Sequence, residues 1–272
     1  METELGGRRF GLEVLDLPAP GKGQDRWISA EGFVGLADGA TPLGDEPASA
    51  VGPHAGKVLE ALASFRGEPA RRMARLAIQA TLPLAKTHVP PLSCTAAMAR
   101  SSKGGVELVV LGDSLAVVES GGRLRTIRDP RPSKMDQAVV SRLGGLIESG
   151  LPVEQALRSI SDDLTANRMR MNQSDSFWSF STETDASRHV LHRLYRADLV
   201  DSILLATDGF VRLVETFREF RTAAELLRQG RRIGLARLGD RLRELETGND
   251  SLVRYPRFGR YDDATAILLS PI

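Results

Sequence analysis

Four apolar runs of this chain meet an aspartate at one end. FVGLAD carries Asp38 into Gly39, VELVVLGD carries Asp113 into Ser114, ILLATD carries Asp208 into Gly209, and Asp262-Asp263 leads into ATAILLS. Each run reads as a strand, and a side chain at a strand terminus is held by the sheet while its tip reaches the open edge, where ligands bind. A single Asp-Gly pair reads most simply as a hairpin turn. Four such termini on neighbouring strands would instead bring their carboxylates together, and like charges raise one another's pKa. A pair of divalent cations relieves that repulsion. With one cysteine and four histidines in 272 residues, the available donors are mainly oxygens, which favours hard ions such as magnesium or manganese.

Other chemistries compete for the same residues. Gly112-Asp113-Ser114-Leu115 can present Ser114 as an acyl-transfer nucleophile. That reading needs a histidine in an Asp-x-x-His near the C-terminus, yet no histidine follows His192 and Asp185 precedes His189 by four positions. His189-x-x-His192 has zinc spacing on a helix, but residues 188–195 read better as a strand, with no third ligand nearby. Cys94 sits in a run with the look of a buried strand and reads as a small core residue rather than a reactive thiol.

The elements that must position these groups alternate in blocks. RFGLEVLDL, QDRWISAE and GFVGLAD read as strands, followed by helices near residues 47–65 and after Gly67, where Pro69 suits a first turn and Pro83 kinks or ends the helix. SCTAAMARSS, VELVVLGD, LAVVES and GRLRTIRD form an antiparallel meander. Residues 134–166 read as helical, with Ser133 and Asp136 spaced as a capping box. Residues 167–187 are polar with isolated aromatics and read as a mobile surface excursion or lid, within which Trp178 reads as a packing residue. The strands HVLHRLY and DSILLATD, two helices and DDATAILLS complete the chain. Arg231, Arg232, Arg237, Arg241 and Arg243 read as a solvated basic helical face. The clustering of strands in hairpins predicts sheets covered by helices in one α+β domain.

Composition narrows the function classes. Basic and acidic residues number 36 and 35, which argues against a nucleic-acid or membrane-surface binder. A lone cysteine allows no internal disulfide, no run is long enough to span a bilayer, and METELGGRRFGLEVLDL lacks the apolar core of a signal peptide. The expectation is a cytoplasmic protein.

FVGLADGA, Ser93-Cys94-Thr95-Ala96, LGDS at 111–114, LLATDGF at 204–210 and DDATAILL at 262–269 occur in one order. That order and spacing resemble the metal-dependent protein phosphatases of the type 2C family, bacterial branch. Gly23-Gln24-Asp25-Arg26 is similar to the family's early Asn-Gln-Asp box, so the resemblance runs from about residue 9 to the C-terminus. It implies a four-layer α-β-β-α sandwich with two central antiparallel sheets flanked by helix pairs, as a single domain over 1–272 with a flap-like insertion around 167–187. It implies two Mn²⁺ or Mg²⁺ ions, with Asp38 bridging both, the Gly39 carbonyl on one, and Asp208 and Asp262 completing the shell of the other. Asp25 would lie near them, as a ligand through water or just behind the ligands, and Asp113 with Asp208 would match a weaker third-ion site.

The reaction so implied is hydrolysis of phosphoserine or phosphothreonine in a phosphoprotein by a metal-activated bridging water, with no side-chain nucleophile. Ser114 is then a bystander. The chain departs from the pattern at several positions. Pro20 stands where many members carry an arginine that grips substrate phosphate, which leaves Lys22, Arg8 or Arg9 as substitutes. Ala40 replaces a histidine of animal members, Ser93-Cys94 replaces Gly-Ser, and Leu115 replaces a common arginine. These departures support an alternative: a weakly active or inactive pseudophosphatase that recognises a phosphoprotein as a metal-binding regulatory module.

Overall fold

The computed structural model describes residues 1–40 and 48–272; position 47, where the first helix is expected to begin, lies outside them. Eleven strands form two antiparallel sheets among the described residues. They are β1 (Glu2–Leu5), β2 (Arg8–Leu17), β3 (Arg26–Ala30), β4 (Phe33–Gly39), β5 (Cys94–Ser102), β6 (Gly105–Leu111), β7 (Leu115–Ser120), β8 (Arg123–Ile127), β9 (Leu191–Tyr195), β10 (Val200–Ala206) and β11 (Ala264–Pro271). One sheet has the order β1-β2-β11-β10-β7-β8 and the other β3-β4-β5-β6-β9. Helices α1 (Val51–Ser64) and α2 (Ala70–Ala85) cover the five-stranded sheet. Helices α3 (Arg131–Glu148), α4 (Val153–Ser159) and α5 (Ser161–Met169) form a group of their own. The six-stranded sheet is covered by α6 (Asp208–Glu215), α7 (Ala223–Ile233) and α8 (Leu235–Thr247). The four-layer α-β-β-α sandwich is therefore present.

Strand parity builds the layers. Ile203 and Leu205 of β10 point between the sheets, while Leu204 and Ala206 point to α6–α8. Ala97 and Ala99 of β5 face the inter-sheet core, and Ala96 and Met98 face α1 and α2. Because both faces of the central strands are buried, they read as continuous apolar runs rather than alternating ones.

Register then fixes where the strand ends meet. Arg26 pairs with Ala37, Asp38 with Thr95 and Ala96 with Leu111, which sets the start of β3 and the ends of β4 and β6 side by side. In the other sheet Leu115 pairs with Ala206, Ala206 with Ala266 and Ala264 with Leu17. Every aspartate at these termini emerges at the same end of the sandwich.

Several local expectations are corrected. The helical stretch 134–166 is three helices, broken first across Gly150 and Pro152, where Gly150 has φ 92°, and again at Ile160. Helix α3 starts at Arg131 after Pro130 with no side-chain cap, so Ser133 and Asp136 form no capping box. The capping pair is instead Thr222 and Glu225 at α7: the Thr222 hydroxyl accepts from the Glu225 amide at 3.1 Å. The second half of the 167–187 excursion is not a surface segment. Phe180 is fully buried and exchanges two backbone hydrogen bonds with Cys94 at 3.0 and 2.9 Å, adding a short bridge to the free side of β5's first residue. The buried Trp178 stacks on His189 with centroids 3.9 Å apart.

His54 lies fully buried on α1, and neither ring nitrogen has a well-formed hydrogen bond. Burial holds it down to about 4, with the Phe180 backbone the one group favouring its charge. The unfolded chain takes up this proton near 6.5, so the contribution of His54 to stability is full above that pH and falls as pH drops toward 4, by up to about 3 kcal/mol. His54→Leu should remove about 2 kcal/mol of the stability difference between pH 7 and 4.5 in urea unfolding. An unchanged difference would show that His54 does not titrate this way.

Candidate metal centre

A cavity of about 370 Å³ opens at the end of the sandwich where the strand termini converge. Asp38, Gly39, Asp113, Asp208, Asp262 and Lys22 all line it. Asp25 lies beneath, at 5 % exposure, and lines an adjoining hollow with Asp16 and Asp263. Its Oδ2 accepts from the Thr207 hydroxyl at 2.9 Å, and its buried Oδ1 has no hydrogen-bond partner.

The glycines after two of these aspartates are not turn residues. Neither Gly39 nor Gly209 has a positive φ. Their role is close approach: a Cβ on Gly209 would sit 1.9 Å from the Asp263 carbonyl oxygen, and one on Gly39 2.4 Å from Val51. Gly112 combines both demands, with φ 87° and a Cβ position 2.3 Å from Thr95. Asp263 ties the 18–25 loop to β11 by accepting from the backbone amides of Ala19, Gly23 and Gln24.

Electrostatics mark the cluster. Burial, then the hydrogen bond from Thr207 working against it and the charge of Asp263 adding to it, leave Asp25 well above the carboxylate range. Asp38 is also well above it, through burial followed by the charges of Asp208 and Asp25. Burial and Asp208 push Asp113 up to about 6, against the pull of Arg128. Asp136 reaches about 7 through burial and the charges of Asp113 and Asp208. Repelling acids and an orphaned buried carboxylate oxygen are what a hard-cation cradle presents when its donors are oxygens. Among the described residues no group of three or more Asp, Glu, His or Cys side chains is arranged to hold an ion by itself. Asp262 is turned to cations instead: Lys22 Nζ at 3.0 Å and Arg212 Nη2 at 2.6 Å donate to its two oxygens. Carbonyl and water oxygens must therefore complete any shell.

Among the cavity-lining residues with no place in the motif reading are Asp136, Asn167, Arg168 and Arg212, which bring charge or an amide to it. Arg212 carried a signal, since it follows Asp208 by one helical turn on α6 and so shares its face. Asp136, Asn167 and Arg168 carried none, because α3 and α5 reach the cavity only through tertiary packing. Glu246, fully buried on α8, accepts from Arg212 and Arg243, and Arg243 also donates to the Leu17 and Asp262 carbonyls. Arg243 is thus a clamp on the Asp262 loop rather than part of a solvated basic face.

The rival chemistries lose their geometry. Ser114 is fully buried and its hydroxyl is bonded to Thr95 at 2.9 Å. His189 stacks on Trp178, whereas His192 bonds Glu107 at 2.8 Å, so the two do not share a site. Burial pushes the Cys94 thiol far above its ordinary range.

No family model matches this chain, and no curated protein matches it in sequence. Solved structures do. The Mycobacterium tuberculosis serine/threonine phosphatase PstP/Ppp is 17 % identical with a TM-score of 0.55, over 96 % of this chain and 98 % of that one. The catalytic domain of PstP in complex with two manganese ions is 16 % identical, TM-score 0.54, over 97 % and 98 %. Stp1 from Staphylococcus aureus is 16 % identical, TM-score 0.55, over 99 % and 97 %. The chain has the fold of the bacterial type 2C serine/threonine phosphatases.

Two outcomes test the centre. Folded-state proton affinities of Asp113 and Asp136 are raised, so in the metal-free protein these two groups contribute stability that is lost as pH rises from about 4 through 7, opposite in sign to His54, and Asp113→Asn with Asp136→Asn should remove that loss in urea unfolding. Cations must displace the same protons, so Mn²⁺ affinity measured by calorimetry should climb between pH 5 and 8 with proton release; an affinity flat over that range would count against the cluster. Glu246→Ala, which strands two arginines, should cost about 3–5 kcal/mol in urea unfolding.

Proposed function

We propose that this protein is a metal-dependent phosphatase that hydrolyses phosphoserine or phosphothreonine in proteins, with two Mn²⁺ or Mg²⁺ ions as cofactors. The observation that carries the reading is the convergence of Asp38, Asp113, Asp208 and Asp262 from separate strand ends on one cavity, above the orphaned oxygen of Asp25. The fold it shares with serine/threonine phosphatases, one of them described with two manganese ions, supports the same chemistry.

In this reading Asp38, the Gly39 carbonyl, Asp208 and Asp262 hold the two ions, Asp25 acts through water, and Asp113 offers a weaker third position. When bound, the ions supply an activated water and offset charge on the phosphoryl oxygens. The chain's own contribution is positional. The sheets fix Asp38 and Asp113, the first turn of α6 fixes Asp208 where the helix dipole favours its charge, and Arg212 with Lys22 orients Asp262. Among the described residues no histidine lines the cavity to activate a serine, threonine or cysteine there, which fits direct attack by water. Phe177, Met171, Leu164 and Phe258 give the cavity an apolar rim that limits solvent around the reacting phosphate.

Hydrolysis of a phosphothreonine peptide and of p-nitrophenyl phosphate should require Mn²⁺ or Mg²⁺, and Asp208→Asn should lower kcat/KM by about 10²–10³-fold while the fold is kept. Ion binding by the wild-type chain with no turnover of either substrate would replace this reading with a regulatory phosphoprotein-binding module.

A further inference from the structure

Pro20, at the position from which a phosphate-gripping arginine would be expected, is exposed and does not line the cavity. A phosphate dianion beside a carboxylate floor needs a cation on its open side, and a guanidinium suits it best because its planar fork donates two parallel hydrogen bonds. Among the described residues three cationic side chains line the cavity: Lys22, Arg168 and Arg212. Lys22 and Arg212 stand on one wall with their charged ends on Asp262, and Arg212 also holds the buried Glu246. Arg168 comes from the last turn of α5. Its Nη1 lies 3.4 Å from the Ser93 hydroxyl, and its charge acts on Asp113, Asp136 and Asp38.

We infer that Arg168 is the substrate-phosphate-binding arginine of this protein, delivered by the helix over the cavity instead of by the loop before β3. The inference rests on the phosphatase reading above and assigns the grip within it. Placement on α5 has a consequence. Helices α3–α5 pack in a small apolar cluster of their own, with Phe258 from the loop that precedes Asp262 packed against it. The guanidinium is thus carried by these helices and not by the loop before β3. Arg168 also opposes cation binding at Asp38 and Asp113, since it is a positive charge beside them.

The test uses the full chain saturated with Mn²⁺, with inorganic phosphate as probe, read by calorimetry and as a competitive inhibitor of phosphopeptide hydrolysis. Arg168→Ala should weaken phosphate about tenfold or more and raise KM more than it lowers kcat. Mn²⁺ affinity should be unchanged or tighter, which separates loss of the grip from loss of the ions. Arg168→Lys should recover only part of the affinity, because an ammonium cannot replace the fork. Thermal melts with Mn²⁺ confirm that the variants fold. Phosphate affinity within twofold of wild type in Arg168→Ala would overturn the assignment, and a tenfold loss in Lys22→Ala alone would move the grip to Lys22. A wild type that binds phosphate through Arg168 yet hydrolyses nothing would overturn the enzymatic reading and leave this assignment standing.

Discussion

Carboxylates held together by strand register are the constraint on which the rest of this structure depends. The pairings that run from β3 through β6 and from β7 through β2 leave the ends of both sheets at one edge, so the acids cannot move apart without breaking ladders. Charges so placed repel, and burial removes the water that would screen them. Protons, arginines or metal ions must answer that repulsion. Arg212 answers it at Asp262, burial and its acidic neighbours hold Asp136 up to about 7, and an oxygen of Asp25 is left unpartnered.

Rigidity of the scaffold follows from the same strands. Both faces of the central strands are packed, one against the other sheet and one against helices, so backbone positions at the edge are fixed by three separate cores. Around the acids the backbone itself crowds in. Gly209 lies against the Asp263 carbonyl, Gly39 against Val51, and the 18–25 loop is laced to Asp263 through three amides. The buried Arg212–Glu246–Arg243 network anchors the Asp262 loop to α8. Such a network adds little net stability but fixes orientation, since losing one partner strands a charge.

The cover is built differently. Helices α3–α5 share a satellite cluster with Phe258 and do not belong to the three main cores. The adjoining segment around Phe180 is tied to Cys94 and packed beneath α1 and α2. The cavity therefore has a floor fixed by the sheets and a wall from helices that pack in a cluster of their own, and that wall carries Asp136, Asn167 and Arg168.

The sequence by itself determined most of the strands and most of the acids, but not that the run read as one meander divides, with β5 and β6 in one sheet and β7 and β8 in the other. Continuous apolar runs that end on aspartate are legible because a strand buried on both faces leaves no other room for charge than its termini. Arg212 was legible in principle, one turn after Asp208. Tertiary structure decided everything that depends on elements far apart in the chain. Asp136 sits where a capping box would place it and serves the cavity instead, because Pro130 starts α3 early and turns that face inward. Residues 176–187 look polar and irregular, yet Phe180 and Trp178 are buried because the free side of Cys94 accepted a bridge. Arg243 reads as one of several surface arginines and is an internal clamp. Periodicity reports which face of an element is apolar; it does not report which neighbour that face will meet, and the polar groups around this cavity were set by that meeting.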